Sequence, residues 1–464
     1  MTRTVGILPL GRATFDVEFA RETLEQMLLA LGQTGHHIVG PRELLFDADA
    51  TRSAIAALKA ETITDLLVLQ VTFTDAAMTV EAAEAFDVPL AVWAAPEPRI
   101  GGRLRLNAFC GLNLAAHALG LRDREFSWLF AAPGKPDLQH DLYHLFSGKR
   151  LAKPALLRAS APLASEKGRA IAERLTGTRI GRIGEHPAGF DTCAYDKGKL
   201  SSLAGVEVSE IDLNELFERA RKVPDAIAAS TRVEAEVVLD DLDTVDSVQL
   251  DRSLRLKTAI EDIRAAGSYD AFAIRCWPEA FTEYGGAICG PVSMLGEKRL
   301  PCACEADVYG ALTTLMMQTV ADAPAFLVDL VDVDLADGTS VVWHCGQAPA
   351  SMADPASHPR ATIHTNRKMP LLFEFTLKPG RVTFARISQA RGETKMVIAS
   401  GEMLAAPMAF TGTSGVLRFD GDTAAFLDAL IGSGVEHHMA LAYGDHRQVL
   451  RGVASALGID ILEL

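Results

Sequence analysis

The residues from 276 to 349 gather most of the chain's chemistry-bearing side chains. They run as Cys276-Trp277-Pro278-Glu279, Cys302-Ala303-Cys304-Glu305-Ala306-Asp307, Phe326-Leu327-Val328-Asp329 and Trp343-His344-Cys345-Gly346. Glu305 and Asp307 open an apolar stretch, 308–319, that reads as a helix. Carboxylates are favoured in the first turn of a helix, so a capping role accounts for either of them. Asp329 interrupts the run 325–333, which reads as a buried strand. A buried carboxylate must be paired, hydrogen-bonded or bound to a metal. Near the C-terminus Glu436-His437-His438 precedes the apolar Met439-Ala440-Leu441-Ala442. Adjacent side chains at the start of a strand point to opposite faces, so at most one of the two imidazoles is expected in a given pocket. Each is a candidate metal ligand, and each is equally readable as an ordinary satisfied histidine.

Other chemistries lack their signatures. Residues 11–16, Gly-Arg-Ala-Thr-Phe-Asp, follow the first strand but carry one glycine where a dinucleotide fingerprint needs three at fixed spacing. No Walker A lysine and no Gly-x-Ser-x-Gly elbow occurs. Cys302 and Cys304 stand too close for a structural zinc pair and have no second pair. They read as small buried hydrophobes.

The elements around these residues begin with β-rich runs at 4–8, 37–39, 66–73 and 89–94, with helical patterns at 16–32, 50–61 and 76–86 between them. Such alternation predicts a parallel sheet covered by helices. The stripe Leu24, Met27, Leu28 and Leu31 is core. Residues 131–165 are richer in Pro, Gly and Lys and read as a linker. A second α/β pattern follows, with strands at 179–183 and 271–276 and helices at 212–222 and 250–266. From about residue 323 strand-like runs crowd together at 325–333, 339–344, 361–364, 371–377, 381–388 and 395–400, before helices at 422–431 and 445–457. That is the signature of an antiparallel sheet or barrel. The expected architecture is α/β, with two Rossmann-like parallel-sheet domains at 1–165 and 166–322 and a barrel-like β domain at 323–464.

The chain has 464 residues, 48% hydrophobic and 23% charged, an ordinary globular balance. With Lys+Arg 45 against Asp+Glu 60, the net charge of −15 argues against nucleic-acid and anionic-membrane partners. The first ten residues read as a strand rather than a leader, and seven cysteines without framework spacing suit a reducing, cytoplasmic setting.

Taken together, these motifs resemble the L-fucose isomerase and L-arabinose isomerase superfamily, over nearly the whole chain and most strongly at 276–349 and 438–464. In fucose isomerases a metal-binding Glu opens a helix after a strand, and a metal-binding Asp follows 24 residues later; Glu305 and Asp329 have that spacing and context. The family's ligand His begins a motif His-Gly-Ala-x-x-Tyr-Gly. It reads here His438-Met439-Ala440-Leu441-Ala442-Tyr443-Gly444, departing at Met439, and it selects His438 over His437. His344 matches, in approximate spacing, a second His of the arabinose isomerases, as ligand or substrate contact. Gly11-Arg12 is similar to a segment that reaches the active site of a neighbouring subunit. Trp277 and Glu279 lie in a motif of fucose isomerase-like proteins and are expected to line the sugar pocket.

The resemblance implies a metal-dependent aldose–ketose isomerase. Glu305, Asp329 and His438 would hold Mn²⁺, with Mg²⁺ or Co²⁺ as alternatives. Glu305 and Asp329 would also move protons on either side of an enediol, and His344 would help open the sugar ring. It further implies a homo-oligomer, trimeric or hexameric. The chain is shorter than typical fucose isomerases, so the sugar is left open, sulfonated sugars such as sulfoquinovose included. For an anionic substrate Arg275, Arg367, Lys368 and Arg386 are the available cations, each also readable as surface charge. The rival readings are a catalytically inactive sugar-binding or regulatory protein on the same fold, and another metal-dependent sugar enzyme acting through an enediolate.

Overall fold

The computed structural model describes residues 2–147, 156 and 165–464. The first parallel sheet contains β1 (Thr4–Leu10), β2 (His37–Val39), β3 (Asp65–Gln70), β4 (Leu90–Ala94) and β5 (Ser127–Phe130), in the order β2-β1-β3-β4-β5. Its central strands are buried throughout, as continuous apolar runs such as Leu66-Leu67-Val68-Leu69 require. The first helix, Val17–Gly32, buries Leu24, Met27 and Leu31, and Asp16 caps it by accepting from the Phe19 amide. Helix Ala108–Leu121 has no solvent-facing polar stripe, its Asn113 and His117 being buried, so it offers no amphipathic period to read in the sequence. It is buried on all sides because it lies between this sheet and the third. There Asn113 Nδ2 donates to the Val435 carbonyl (2.7 Å), and His117 Nδ1 bonds the Gly434 carbonyl (2.8 Å). The expected linker contains helix Leu138–Phe146; much of its remainder lies outside the described residues.

The second parallel sheet contains β6 (Arg179–Ile183), β7 (Glu207–Ile211), β8 (Ala271–Ile274) and β9 (Cys302–Ala303), in the order β7-β6-β8-β9. β9 delivers the chain to a one-turn helix, Cys304–Ala306, and then to helix Val308–Ala321.

The third sheet holds β10 (Phe326–Asp334), β11 (Thr339–His344), β12 (Arg360–Thr362), β13 (Leu372–Thr376), β14 (Gly380–Ser388), β15 (Lys395–Met403), β16 (Thr413–Phe419), β17 (His438–Tyr443) and β18 (Asp460–Glu463). Six of them, β16-β11-β10-β17-β14-β15, close into an antiparallel ring because β15 also pairs with β16. Closure leaves these strands no free edge. The units interlock: helix Val308–Ala321 packs on β8 and on β14 and β17. Helix Arg447–Leu457 lies against helix Glu166–Leu175, where Gly168 and Gly452 touch; a Cβ on Gly168 would stand 2.4 Å from the Gly452 carbonyl carbon. Asp332, buried in β10, is paired by Arg99 from the first unit (2.6 Å).

Candidate active site

Three strands and one turn bring the candidate ligands together. β10 and β17 pair antiparallel with Asp329 directly opposite His438, and β11 places Trp343 beside Asp329 on the other side. Glu305 comes from the one-turn helix after β9, with φ +58°; the next residue, Ala306, has φ +55°. Two consecutive non-glycine residues in the left-handed region are costly, and such strain concentrates at functional sites. The turn separates the two acids that a capping role would have treated alike. Asp307 caps helix Val308–Ala321, its Oδ1 accepting from the Gly310 amide at 2.8 Å. Glu305 lies outside the helix and faces the pocket.

The atoms converge closely. His438 Nε2 is 3.5 Å from Asp329 Oδ1 and 3.8 Å from Glu305 Oε2. His438 Nδ1 donates to Asp307 Oδ2 at 3.0 Å, which leaves the Nε2 lone pair turned toward the other two carboxylates. Burial and the adjacent His437 lower the His438 pKa, so the ring is neutral, as a metal ligand must be. Asp307 is itself fully buried against Arg386 (2.5 Å). Burial works against its ionisation, but Arg386 and His438 outweigh it and hold its carboxyl well below the ordinary range.

Glu305 is tied from two sides, by Trp277 Nε1 (3.0 Å) and by His437 Nε2 (3.0 Å). Burial opposes its charge, yet His437, His438 and Trp277 together lower its pKa. His437 moves the opposite way: burial alone would lower it, but Glu305 raises it. Both imidazoles therefore enter the site, stacked with centroids 3.8 Å apart. The expectation of one imidazole fails because β17 begins at His438; His437 is not in the strand and does not follow its alternation. His344 is buried as well, and neither its Nε2 nor Asp329 Oδ1 makes a hydrogen bond within the protein.

Candidate ligand atoms of Asp329, His344 and His438 lie within 4.8 Å of one another, as do those of Glu305, His437, His438 and Cys193. Two carboxylates with imidazole nitrogens, one buried oxygen and two buried nitrogens of the cluster making no hydrogen bond, fit a divalent cation in a mixed carboxylate–imidazole site. Cys193 fits less well, since burial pushes its thiol up and keeps it neutral. No other group of three or more such side chains occurs among the described residues.

The pocket above this cluster has about 710 Å³ of space, its mouth included, and lies where the three sheets' loops meet. Trp277, Arg12 and His344 line it. Arg12 does so within its own chain: it follows β1 and is held by Asp75 (2.7 Å), so its place needs no neighbouring subunit. Glu279 does not join the lining; it is paired with Arg275 (2.7 Å). Arg386 is no surface charge, being wholly buried. The sequence offers His437 as a candidate ligand, but the family motif sets it aside for His438, and the Asp307–Arg386 pair is not anticipated. Arg386 sits mid-strand in the apolar run of β14, which was the available signal for a buried cation with a partner.

Paired carboxylates beside candidate metal-ligating imidazoles, facing a pocket, are the arrangement that metal-dependent proton transfer next to a carbonyl requires. Comparison with known proteins gives the class. Residues 6–153 match the fucose/sulfoquinovose isomerase N-terminal domain, and residues 342–464 match the L-fucose isomerase C-terminal domain. The sulfoquinovose isomerase of Alkalicoccus urumqiensis is 30% identical over 463 residues, 99% of each chain. That of Priestia megaterium is 29% identical over 460 residues, 98% of each chain. The chain belongs to the fucose/sulfoquinovose isomerase family, and it is an aldose–ketose isomerase, an intramolecular oxidoreductase of a metal-dependent family.

Proposed function

We propose that the chain isomerises sulfoquinovose to its ketose at the Glu305–Asp329–His438 site. The observation that carries the site is the convergence of Glu305 and Asp329 on the bare Nε2 of His438. The substrate follows from the full-length relatives, which are named for it. Glu305, Asp329 and His438 hold the metal, Mn²⁺ by preference, with Mg²⁺ and Co²⁺ as substitutes. A divalent ion bound there supplies polarisation of the substrate carbonyl and compensation of enediolate charge.

The side chains do the rest. One of the two carboxylates takes the proton from C2 and returns it to C1, and the other relays the hydroxyl proton from O2 to O1. His437 keeps Glu305 ionised for this work. His344, whose Nε2 is free, contacts the substrate and helps open the ring. Trp277 orients Glu305 and forms the pocket wall, with Arg12 beyond it. In the same reading the domains are 1–165, 166–322 and 323–464, and the enzyme works in the cytoplasm as a trimer or hexamer. No helix among the described residues is long and apolar enough to cross a membrane.

The test is conversion by metal-stripped protein before and after Mn²⁺ is restored, across sulfoquinovose, L-fucose, L-arabinose and D-arabinose, read by NMR. A ketose formed from sulfoquinovose only with Mn²⁺ is the expected result. Preference for a neutral aldose would overturn the substrate, and full turnover without metal would overturn the ligand set.

A further inference from the structure

Two guanidinium groups, those of Arg12 and Arg367, project into the pocket and share one surface. Each has its Cζ 5.5 Å from the centroid of the Trp277 ring. Arg12 is neutralised by Asp75. The Arg367 side chain has no hydrogen bond or ion pair with a described protein group. Burial and the neighbouring Arg12 both lower its pKa, and Cys276 opposes them only in part. A half-buried, unpaired cation facing a second cation is electrostatically costly unless something anionic joins them.

The position is built. Arg367 lies in a turn in which His364 Nδ1 accepts from the amides of Asn366 and Arg367 (3.2 Å each), and the Lys368 amide bonds back to the His364 carbonyl. Arg103 fastens this turn to the other arginine's loop. Its Nε donates to Asn366 Oδ1 (2.9 Å) and its Nη2 to the Thr14 carbonyl (2.8 Å), two residues from Arg12. The other cations considered from sequence are engaged or turned away: Arg275 with Glu279, Arg386 with Asp307, and Lys368 exposed.

We propose that Arg367, with Arg12, is the receptor for the anionic terminus of the substrate, and that Arg367 selects a sulfonated sugar over its neutral counterpart. This rests on the reading of the pocket as the sugar site. The Trp277 indole joins the two ends: its Nε1 bonds Glu305, while its ring lies beside both guanidiniums. A six-carbon chain laid along it has its carbonyl end at the carboxylates and its sulfonate at the arginines. Each guanidinium fork can take two of the three sulfonate oxygens, as it takes two oxygens of a phosphate or carboxylate.

The test compares kcat and KM for sulfoquinovose and for 6-deoxyglucose in the Mn²⁺-loaded wild type, Arg367→Gln and Arg367→Lys. Loss of a charge-assisted contact predicts that Arg367→Gln raises KM for sulfoquinovose by about ten- to a hundredfold and collapses the preference for it over 6-deoxyglucose by the same factor. Arg367→Lys, which keeps the charge and loses the fork, falls between. An unchanged preference in Arg367→Gln, or a loss carried by kcat alone, overturns the receptor role even while wild-type turnover of sulfoquinovose upholds the isomerase reading. A wild type that prefers 6-deoxyglucose overturns both.

Discussion

Asp307→Asn separates three jobs that one carboxylate performs. Asp307 caps helix Val308–Ala321, pairs with a wholly buried Arg386, and accepts from His438 Nδ1. Asn caps a helix about as well as Asp, so the cap survives the substitution. The charge facing Arg386 does not. Its remaining neighbours are Glu436 at 4.0 Å and the Thr192 carbonyl at 3.2 Å, and removing one member of a buried pair costs about 3–5 kcal/mol. Loss of an oriented carboxylate behind a ligand histidine weakens metal binding by about ten- to a hundredfold. The double variant Asp307→Asn/Arg386→Gln removes the orphaned charge. Denaturant unfolding should show it recovering part of the lost stability, whereas a competitive chelator titration should show Mn²⁺ affinity still depressed, because His438 remains unbraced. Recovery of both quantities together, or an Asp307→Asn protein with wild-type Mn²⁺ affinity, would refute the assignment of Asp307 as the residue that orients His438.

Glu305→Gln keeps the shape of the turn and should fold normally, with turnover down by about a hundred- to ten-thousandfold as for loss of a general base; NMR conversion assays of the Mn²⁺-loaded protein check it. The stability gap between wild type and Asp307→Asn depends on pH. Asp307 has a folded-state pKa below its ordinary 3.8, so its contribution is fully present above that value and fades as pH falls through the lower, folded value. Melts followed by circular dichroism should show the gap constant from pH 7 to about 4 and narrowing below. Gly168→Ala inserts a methyl group against the backbone of Gly452 and should destabilise by about 1–3 kcal/mol, visible as a lower melting temperature; an unchanged one would mean the two helices part without cost.

What the sequence disclosed and what it withheld divide along physical lines. β11 and β6 read correctly to the residue: β11 carries the apolar run Val341-Val342-Trp343, and β6 carries the β-branched Ile180 and Ile183 in a short segment with no helical period. β7, Glu207-Val-Ser-Glu-Ile, did not, since it is a partly exposed edge strand with charges on it. β16 opens with Thr-Ser-Gly, in which the serine and glycine weaken any strand signal, and is a strand because β11 and β15 flank it. Helix Ala108–Leu121 escaped for the reverse reason, being buried on every face, Asn113 and His117 included. At the site, Glu305, Asp329 and His438 came from a resemblance of spacing, and Asp329 also from its charge inside an apolar strand. His437 was set aside by an alternation rule that holds only inside a strand, together with a motif that points to His438. The difference between Glu305 and Asp307 rests on a left-handed turn that no residue type there announces. Arg367 was one cation among four until the fold placed it against Trp277.

The pairing of Asp329 with His438 joins strands separated by more than a hundred residues of chain, and Glu305 precedes both. The first sheet, by contrast, joins strands close in sequence. Local structure forms readily, while distant pairing must first overcome loop-closure entropy. During synthesis the two carboxylates therefore leave the ribosome well before their histidine. With the proposed ligand set, the centre is complete only once β17 is paired in the ring, so activity is expected only after that pairing. Refolding should reproduce that order, with helical signal returning ahead of activity.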